Sequence, residues 1–304
     1  MIASVLTIAI AIALLTIFSV LMEGIRGKIK ARLQQRIGGS IVHEIHDILD
    51  LLTLKGITPE ELPIYVVAPY FAFSLSLALG LSVPFGKIVI VSGNMLTIIL
   101  LVLSITAIIS IPAMLVNNVY SNIGANREII ITFTALIPFM LVCGIFLVKF
   151  NTLSIVEIAE SLLVTPSVIL GLAVIGYVVY VLSEFAPFDI SRSNTEIIDG
   201  IFSEYGGRFL GILEWAFFIK RFSLVMFFSS LLAIPITKGI LGVSTYGGHV
   251  LAFAFQLVFL TLYYIIATLI EERTARTRIN NVIKVNGVVT LVAFLGLILS
   301  LFGL

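Results

Sequence analysis

Glu184, Asp189, Arg192, Glu196, Asp199, Glu204, Arg208 and Glu214 fall within thirty-one residues of a chain that is only 12% charged. Apolar runs over 163–183 and 217–237 flank them. Carboxylates and guanidinium groups held between such runs can pair, exchange protons, or meet a soluble partner at the membrane surface. Arg127-Glu128, at the entrance of another apolar run, extends the set. An apolar setting disfavours ionised carboxylates, so Glu128, Glu184 and Glu214 are expected to titrate above the usual range and to suit proton exchange. The competing reading is structural: Glu128 paired with Arg127, and Glu214 with Lys220 and Arg221. Glu23, Glu271 and Glu272 stand at span ends, where interfacial anchoring accounts for them.

Other chemistries find little support. His43-Glu44-Ile45-His46-Asp47 places two histidines three apart with no third ligand near, which is not the spacing of a zinc protease. A lone Asp47-x-x-Asp50 lacks the second acidic motif that a lipid-diphosphate enzyme would need. There is no nucleophile elbow or phosphate-binding loop, and Cys143 is the one cysteine. The chain is expected to bind no metal and no cofactor, to be non-catalytic by itself, and to have no nucleic-acid partner.

The elements that carry these residues follow from composition. With 60% hydrophobic residues and a mean hydropathy of +1.18, the chain can be solvated only by lipid. About twenty apolar residues cross a bilayer as a helix, which predicts an all-α polytopic protein with eight spans: 2–22, 64–84, 88–116, 128–148, 163–183, 217–237, 247–270 and 282–303. The third run is long enough to tilt or to kink at Pro112. One transmembrane domain, 1–304, is expected, with loops at about 23–63, 117–127, 184–216 and 271–281 on one side. Those odd-numbered loops hold thirteen Lys and Arg and the even-numbered ones three, so the odd loops are expected in the cytoplasm and both termini outside. Within the first loop, Ile41, Ile45, Ile48, Leu49, Leu51 and Leu52 share one side of a helical wheel opposite His43, His46, Asp47 and Asp50, an interfacial amphipathic helix resting on lipid or under a partner. Thr58-Pro59 has the form of a second helix start.

Glu184-Phe185-Ala186-Pro187-Phe188-Asp189-Ile190, running on to Thr195-Glu196-Ile197, Gly200 and Glu204-Tyr205, resembles the loop of the complex I membrane subunit that lies under the quinone site. Its homologues, the equivalent subunits of formate hydrogenlyase and other energy-converting NiFe hydrogenases, share the resemblance. Ala31-Arg32-Leu33-Gln34-Gln35-Arg36, Gly124-Ala125-Asn126-Arg127-Glu128 and Glu272-Arg273-Thr274-Ala275-Arg276-Thr277-Arg278 agree in order, and the first of these looks closer to the hydrogenase branch. The resemblance implies a multi-pass subunit of the cell membrane that joins a peripheral arm to antiporter-like membrane subunits. That arm would carry iron–sulfur clusters and a hydrogenase-like large subunit with a NiFe centre. Glu128, Glu184, Glu196 and Glu214 would match acids of the ion-coupling path, and Asp189 and Glu204 its loop acids. Arg26, Lys28, Lys30, Arg32 and Arg36, with Arg273, Arg276 and Arg278, would lie under the docked arm.

The family usually spaces three glutamates after Pro-Phe-Asp; here the first two are Arg192 and Asn194, which makes the loop three charge units less negative. A helical 190–200 would let Arg192 pair with Glu196. These departures weigh against the first alternative, a quinone-binding complex I subunit. The second, a self-sufficient secondary transporter, is disfavoured because the charges gather at span ends rather than in mid-span broken helices. The resemblance implies proton or sodium pumping coupled to a hydrogenase or a sulfane-sulfur-type acceptor.

Overall fold

A computed structural model of the chain describes residues 2–57, 63–162, 165–192, 199–241 and 246–303. Among the described residues, ten α-helices run in order: α1 Ile2–Leu33, α2 His43–Thr53, α3 Ile64–Ser82, α4 Met95–Leu115, α5 Val119–Phe150, α6 Ile155–Glu160, α7 Pro166–Leu182, α8 Arg208–Leu241, α9 Tyr246–Arg273 and α10 Ile279–Leu301, with a short 3₁₀ turn at Gly200–Phe202. Seven of the described helices are long and apolar enough to cross a membrane; α7, at 17 residues, is a shorter apolar helix and stands where the fifth span, 163–183, was expected. It starts at Pro166 and ends at Leu182, where Ser183 and Glu184 turn the chain, Glu184 with φ +53°.

Several boundaries move. The third span begins at Met95 rather than 88. Residues 83–94 are an apolar turn instead, closed by reciprocal Phe85–Ile88 hydrogen bonds and permitted by positive φ at Gly86 and Gly93. Hydropathy alone does not separate a loop folded onto apolar helices from one that spans. The expected loop at 117–127 is helical from Val119, with the Asn118 side chain accepting from the Tyr120 N–H at its start. Helix α1 carries the first basic run out to Leu33, and α8 begins at Arg208, so the charged loops are shorter than read and Arg26, Lys30, Glu128 and Glu214 sit on helices. Pro112 lies inside α4.

Helix α8 is the central rod. It packs against α3, α9, α1, α2, α6 and α7, while α5 gathers α4, α7 and α10. The amphipathic segment forms as α2, with Ile48 buried against this bundle. Its seat depends on glycine: a Cβ on Gly24 would overlap the Ile41 carbonyl oxygen, and one on Gly207, at φ +56°, would overlap that of Lys55. These close approaches hold α2 beside the ends of α1 and α8. The Thr58-Pro59 helix start lies outside the described residues.

Candidate functional site

Helices α5 and α8 and the loop that follows α7 bring opposite charges together below the surface. Lys220, on α8 and 2% exposed, donates to Glu128 Oε1 of α5 at 3.3 Å and to Glu184 Oε1 at 3.0 Å. Ser191 Oγ donates to the second Glu184 oxygen at 3.3 Å. The second oxygen of Glu128 is buried and has no hydrogen-bond partner among the described residues. Two carboxylates therefore share one ammonium, and with all three ionised the triad carries one net negative charge. Buried charge of this kind survives only when paired, and breaking a pair leaves an uncompensated ion.

The next residue, Arg221, serves a second network. Its NH1 meets Glu23 Oε1 at 2.9 Å, its Nε donates to the Ser183 carbonyl at 2.7 Å, and its NH2 to the Glu184 carbonyl at 3.4 Å. Those last two bonds help to hold Glu184 in its left-handed conformation, which costs a non-glycine residue on the order of 1–2 kcal/mol. Glu23 also holds Arg26 at 2.7 Å, Arg26 reaches Glu271 at 3.3 Å, and Lys30 joins Glu271 at 3.0 Å and Glu272 at 3.4 Å. Aromatic faces line these cations: Phe217 lies under Arg192, Arg221 and Lys220 at 4.6, 4.7 and 5.6 Å, and Phe185 under Arg221 and Arg26 at 4.9 and 5.5 Å.

Both networks border a polar cavity of about 270 Å³ lined by Glu23, Arg26, Glu44, Glu184, Asp189, Arg192, Asp199, Arg221, Glu271 and Arg276 among others. Arg192 and Asp199 also line a second cavity of about 240 Å³, with Glu214, Tyr205 and Ser203. Burial alone would raise the Glu184 carboxyl, but Lys220, Arg192 and Arg221 outweigh it and hold it below the usual range. That corrects the expectation that burial would raise it. Asp189 goes the other way: burial and the nearby Glu184 push it up against Arg192 and Arg276. Burial, Glu23 and Asp47 likewise raise Glu44 at the cavity wall.

Of the acids picked out from the sequence, Glu128, Glu184 and Asp189 are thus brought to one site. Glu214 stands at the second cavity, Glu204 accepts from Asn118 Nδ2, and Glu196, with Asn194 and the expected Arg192–Glu196 pair, lies outside the described residues. The expected pairings are replaced. Arg127 donates to the Ile190 carbonyl at 3.4 Å rather than to Glu128, because consecutive helical residues point about 100° apart. Glu214 and Lys220, six apart on α8, project about 120° apart, and Arg221, the other expected partner, is taken by Glu23 and the Ser183 and Glu184 carbonyls. Glu23 and Glu271 are not simple interfacial anchors, since their side chains are 6% and 7% exposed inside the networks. The basic set divides: Arg26, Lys30 and Arg276 are held by acids of this chain, Lys28 is half-buried, and Arg32, Arg36, Arg273 and Arg278 are exposed. No group of three or more His, Cys, Asp and Glu able to hold a metal occurs among the described residues.

Comparison with known proteins shows what the whole chain is similar to. The family model described as NADH dehydrogenase matches residues 5–301. Formate hydrogenlyase subunit 4 of Escherichia coli (strain K12) is 24% identical over 88% of this chain and 89% of its own length. Hydrogenase-4 component C of the same organism is 23% identical over 72% of each. An NADH-quinone oxidoreductase subunit of Solibacter usitatus is 25% identical over 62% of this chain and 57% of its own. In fold, a chain of the membrane-bound sulfane sulfur reductase, an archaeal respiratory membrane complex, superposes with a TM-score of 0.85 at 22% identity, covering 98% of this chain and 99% of that one.

Proposed function

Because the chain belongs to the NADH dehydrogenase family, we propose that it is the non-catalytic connector of an ion-translocating respiratory complex in the cell membrane. In this reading it anchors a peripheral arm bearing iron–sulfur clusters and a hydrogenase-like large subunit, and links redox events there to proton or sodium pumping by antiporter-like membrane subunits. The observation that carries the proposal is the Glu128–Lys220–Glu184 triad beside a polar cavity. A triad one proton short of neutrality, with an unpartnered Glu128 oxygen, responds to a charge arriving in the cavity by taking up or moving a proton.

Arm docking falls to the surface around the α1 extension, where Arg32, Arg36 and Arg273 are exposed, together with Arg276 and Arg278 on the same charged side. That side faces the cytoplasm in this proposal; a cysteine placed at Ser203 should label from the cytoplasm only. Glu196, Glu204 and Glu214 serve as outlying acids of the path, Glu214 at the second cavity.

A quinone headgroup with an isoprenoid tail wants an apolar chamber with a few polar contacts. This cavity is walled largely by charge, with Arg192 stacked 3.9 Å from the Phe202 ring, which favours an electron path that ends in the soluble arm. The test is Glu128→Gln in the gently solubilised complex: iron–sulfur proteins should co-purify as with the parent while ion pumping per electron falls at least severalfold. Purification of the chain alone, or inhibitor-sensitive quinone reduction as fast as that of the best soluble acceptor, would overturn the reading.

A further inference from the structure

Among the described residues six carboxylates line the polar cavity, and four of them are held by cations of this chain. Glu23 meets Arg221 and Arg26, Glu184 meets Lys220, Asp189 meets Arg276, and Glu271 meets Arg26 and Lys30. Asp199 lines both cavities. Glu44 differs from all of these. It enters the wall from the surface helix α2, is half-buried, and makes no hydrogen bond or ion pair among the described residues. A carboxyl with no cation of its own can change protonation state without breaking a pair, which its neighbours cannot do.

Glycine sets its position. A Cβ on Gly24 would lie 1.9 Å from the Ile41 carbonyl oxygen and one on Gly211 3.0 Å from Leu51 Cβ, so α2 rests directly on α1 and α8. Glu44 Oε1 is 3.8 Å from the place a Cβ on Gly27 would take, and Gly27 is exposed. The carboxyl therefore reaches from the cavity wall to a surface position that carries no side chain. The charges around it oppose one another. Burial, Glu23 of α1 and Asp47 of α2 raise it above the usual range, against His43 and Arg26. Glu214 of α8 is a further acid within electrostatic reach, and Arg192 and Arg221 face it across the cavity. Its place in the first turn of α2 favours the ionised form, so neither state is strongly excluded.

We propose that Glu44 is the group through which the polar cavity exchanges protons with solvent, its carboxylate taking a proton on the Gly27 side and releasing it among the carboxylates within. Water is the outer partner, only O–H bonds form and break, and the cavity has room for several waters to carry the proton inward. The inference rests on the coupling reading above and deepens it: the triad responds to charge in the cavity, and Glu44 admits the proton.

The experiment measures ions pumped per electron by the intact complex in liposomes over a range of pH. Glu44 has no partner to lose, so the Glu44→Gln complex should assemble as the parent does. Its pumping ratio should fall severalfold at the alkaline end and less at the acid end, because hydronium able to bypass the residue grows scarcer as pH rises. Glu44→His restores a titratable group without the negative charge and should return the neutral-pH ratio to within about twofold of the parent. Parent-like pumping by Glu44→Gln at every pH, with Glu128→Gln defective, overturns this inference and leaves the coupling reading standing. A His variant as defective as the Gln variant also overturns it, since the negative charge and not proton exchange would then be what matters. Parent-like pumping by both Glu128→Gln and Glu44→Gln overturns the coupling reading and this inference with it.

Discussion

The polar cavity and an apolar groove of about 350 Å³ between α7 and α9 are separated by one strip of chain, residues 184–189. Glu184 and Asp189 face the cavity, while Pro187 and Phe188 line the groove. Phe185, fully buried, stands between them, with Arg221 and Arg26 on its ring and Tyr180, Tyr264 and Tyr263 around it at 5.4, 5.7 and 6.5 Å. Similar volumes on the two sides thus have opposite chemistry within a few ångströms. The difference teaches that the partition depends on what the neighbouring helices present: α8 offers Lys220 and Arg221 to one side, and α7 and α9 offer tyrosines to the other. The strip has an acid at each end and two aromatics inside it, because each must meet its own environment.

Removing the cation that holds the polar side should have the largest effect. Lys220→Met leaves two buried carboxylates facing one another and is expected to cost about 3–5 kcal/mol, read as a lowered thermal unfolding midpoint of the purified chain in detergent. Adding Glu128→Gln should recover a good part of the loss; a Lys220→Met protein as stable as the parent would mean that these charges are solvated. Opening the partition comes next. Phe185→Ala removes a fully buried ring at about 3–5 kcal/mol and joins the two spaces. A cysteine at Ala267, on the groove wall and 1% exposed, should resist a charged thiol reagent in the parent and react in the Phe185→Ala background.

Glu184→Gln tests one carboxylate alone and should cost about 1–3 kcal/mol near neutral pH, the range of a hydrogen bond to a charged group. Because Glu184 is held below its usual range, its contribution is present above the ordinary glutamate value of about 4.3 and is lost as pH falls through its depressed pKa. The parent should therefore lose stability on acidification below about pH 4 in a component that Glu184→Gln lacks; parallel pH curves would contradict this. The smallest effect belongs to the far end of the strip. Asp189 has a raised pKa, so its ionised form is the disfavoured one in the folded chain, and its partner Arg276 is 38% exposed. Asp189→Asn should change stability by no more than about 1 kcal/mol, measured by the same melting assay.

The sequence carried the bundle well, since a lipid-solvated span must be apolar and α3, α4, α10 and most of α5 and α9 are. It misled over 88–94, where apolar residues coat a turn, and over 119–127, where polar residues continue a helix. Within the site, Glu184 and Asp189 were legible because their local motif is distinctive, and Glu128 because a carboxylate at a span entrance needs an explanation. The pairings were not legible. Lys220 lies thirty-six residues from Glu184 and ninety-two from Glu128, and only the packing of α8 against α7 and the approach of α5 bring them together. Glu23 and Glu271 were passed over for the same reason: each stands at the end of its own hydrophobic run, and burial comes from helices distant in sequence. The groove had no sequence signature, because it is a space left between α7 and α9.

Lys220 and Arg221 are adjacent on one rigid rod, and adjacent helical side chains project about 100° apart. The rod is therefore a differential: any turn of α8 about its axis moves the ammonium relative to Glu128 and Glu184 and the guanidinium relative to Glu23 in a single motion. A rotation of the rod imposed at one network is thus carried to the other along the helix itself, besides the link through Glu184, whose carboxylate meets Lys220 and whose carbonyl meets Arg221.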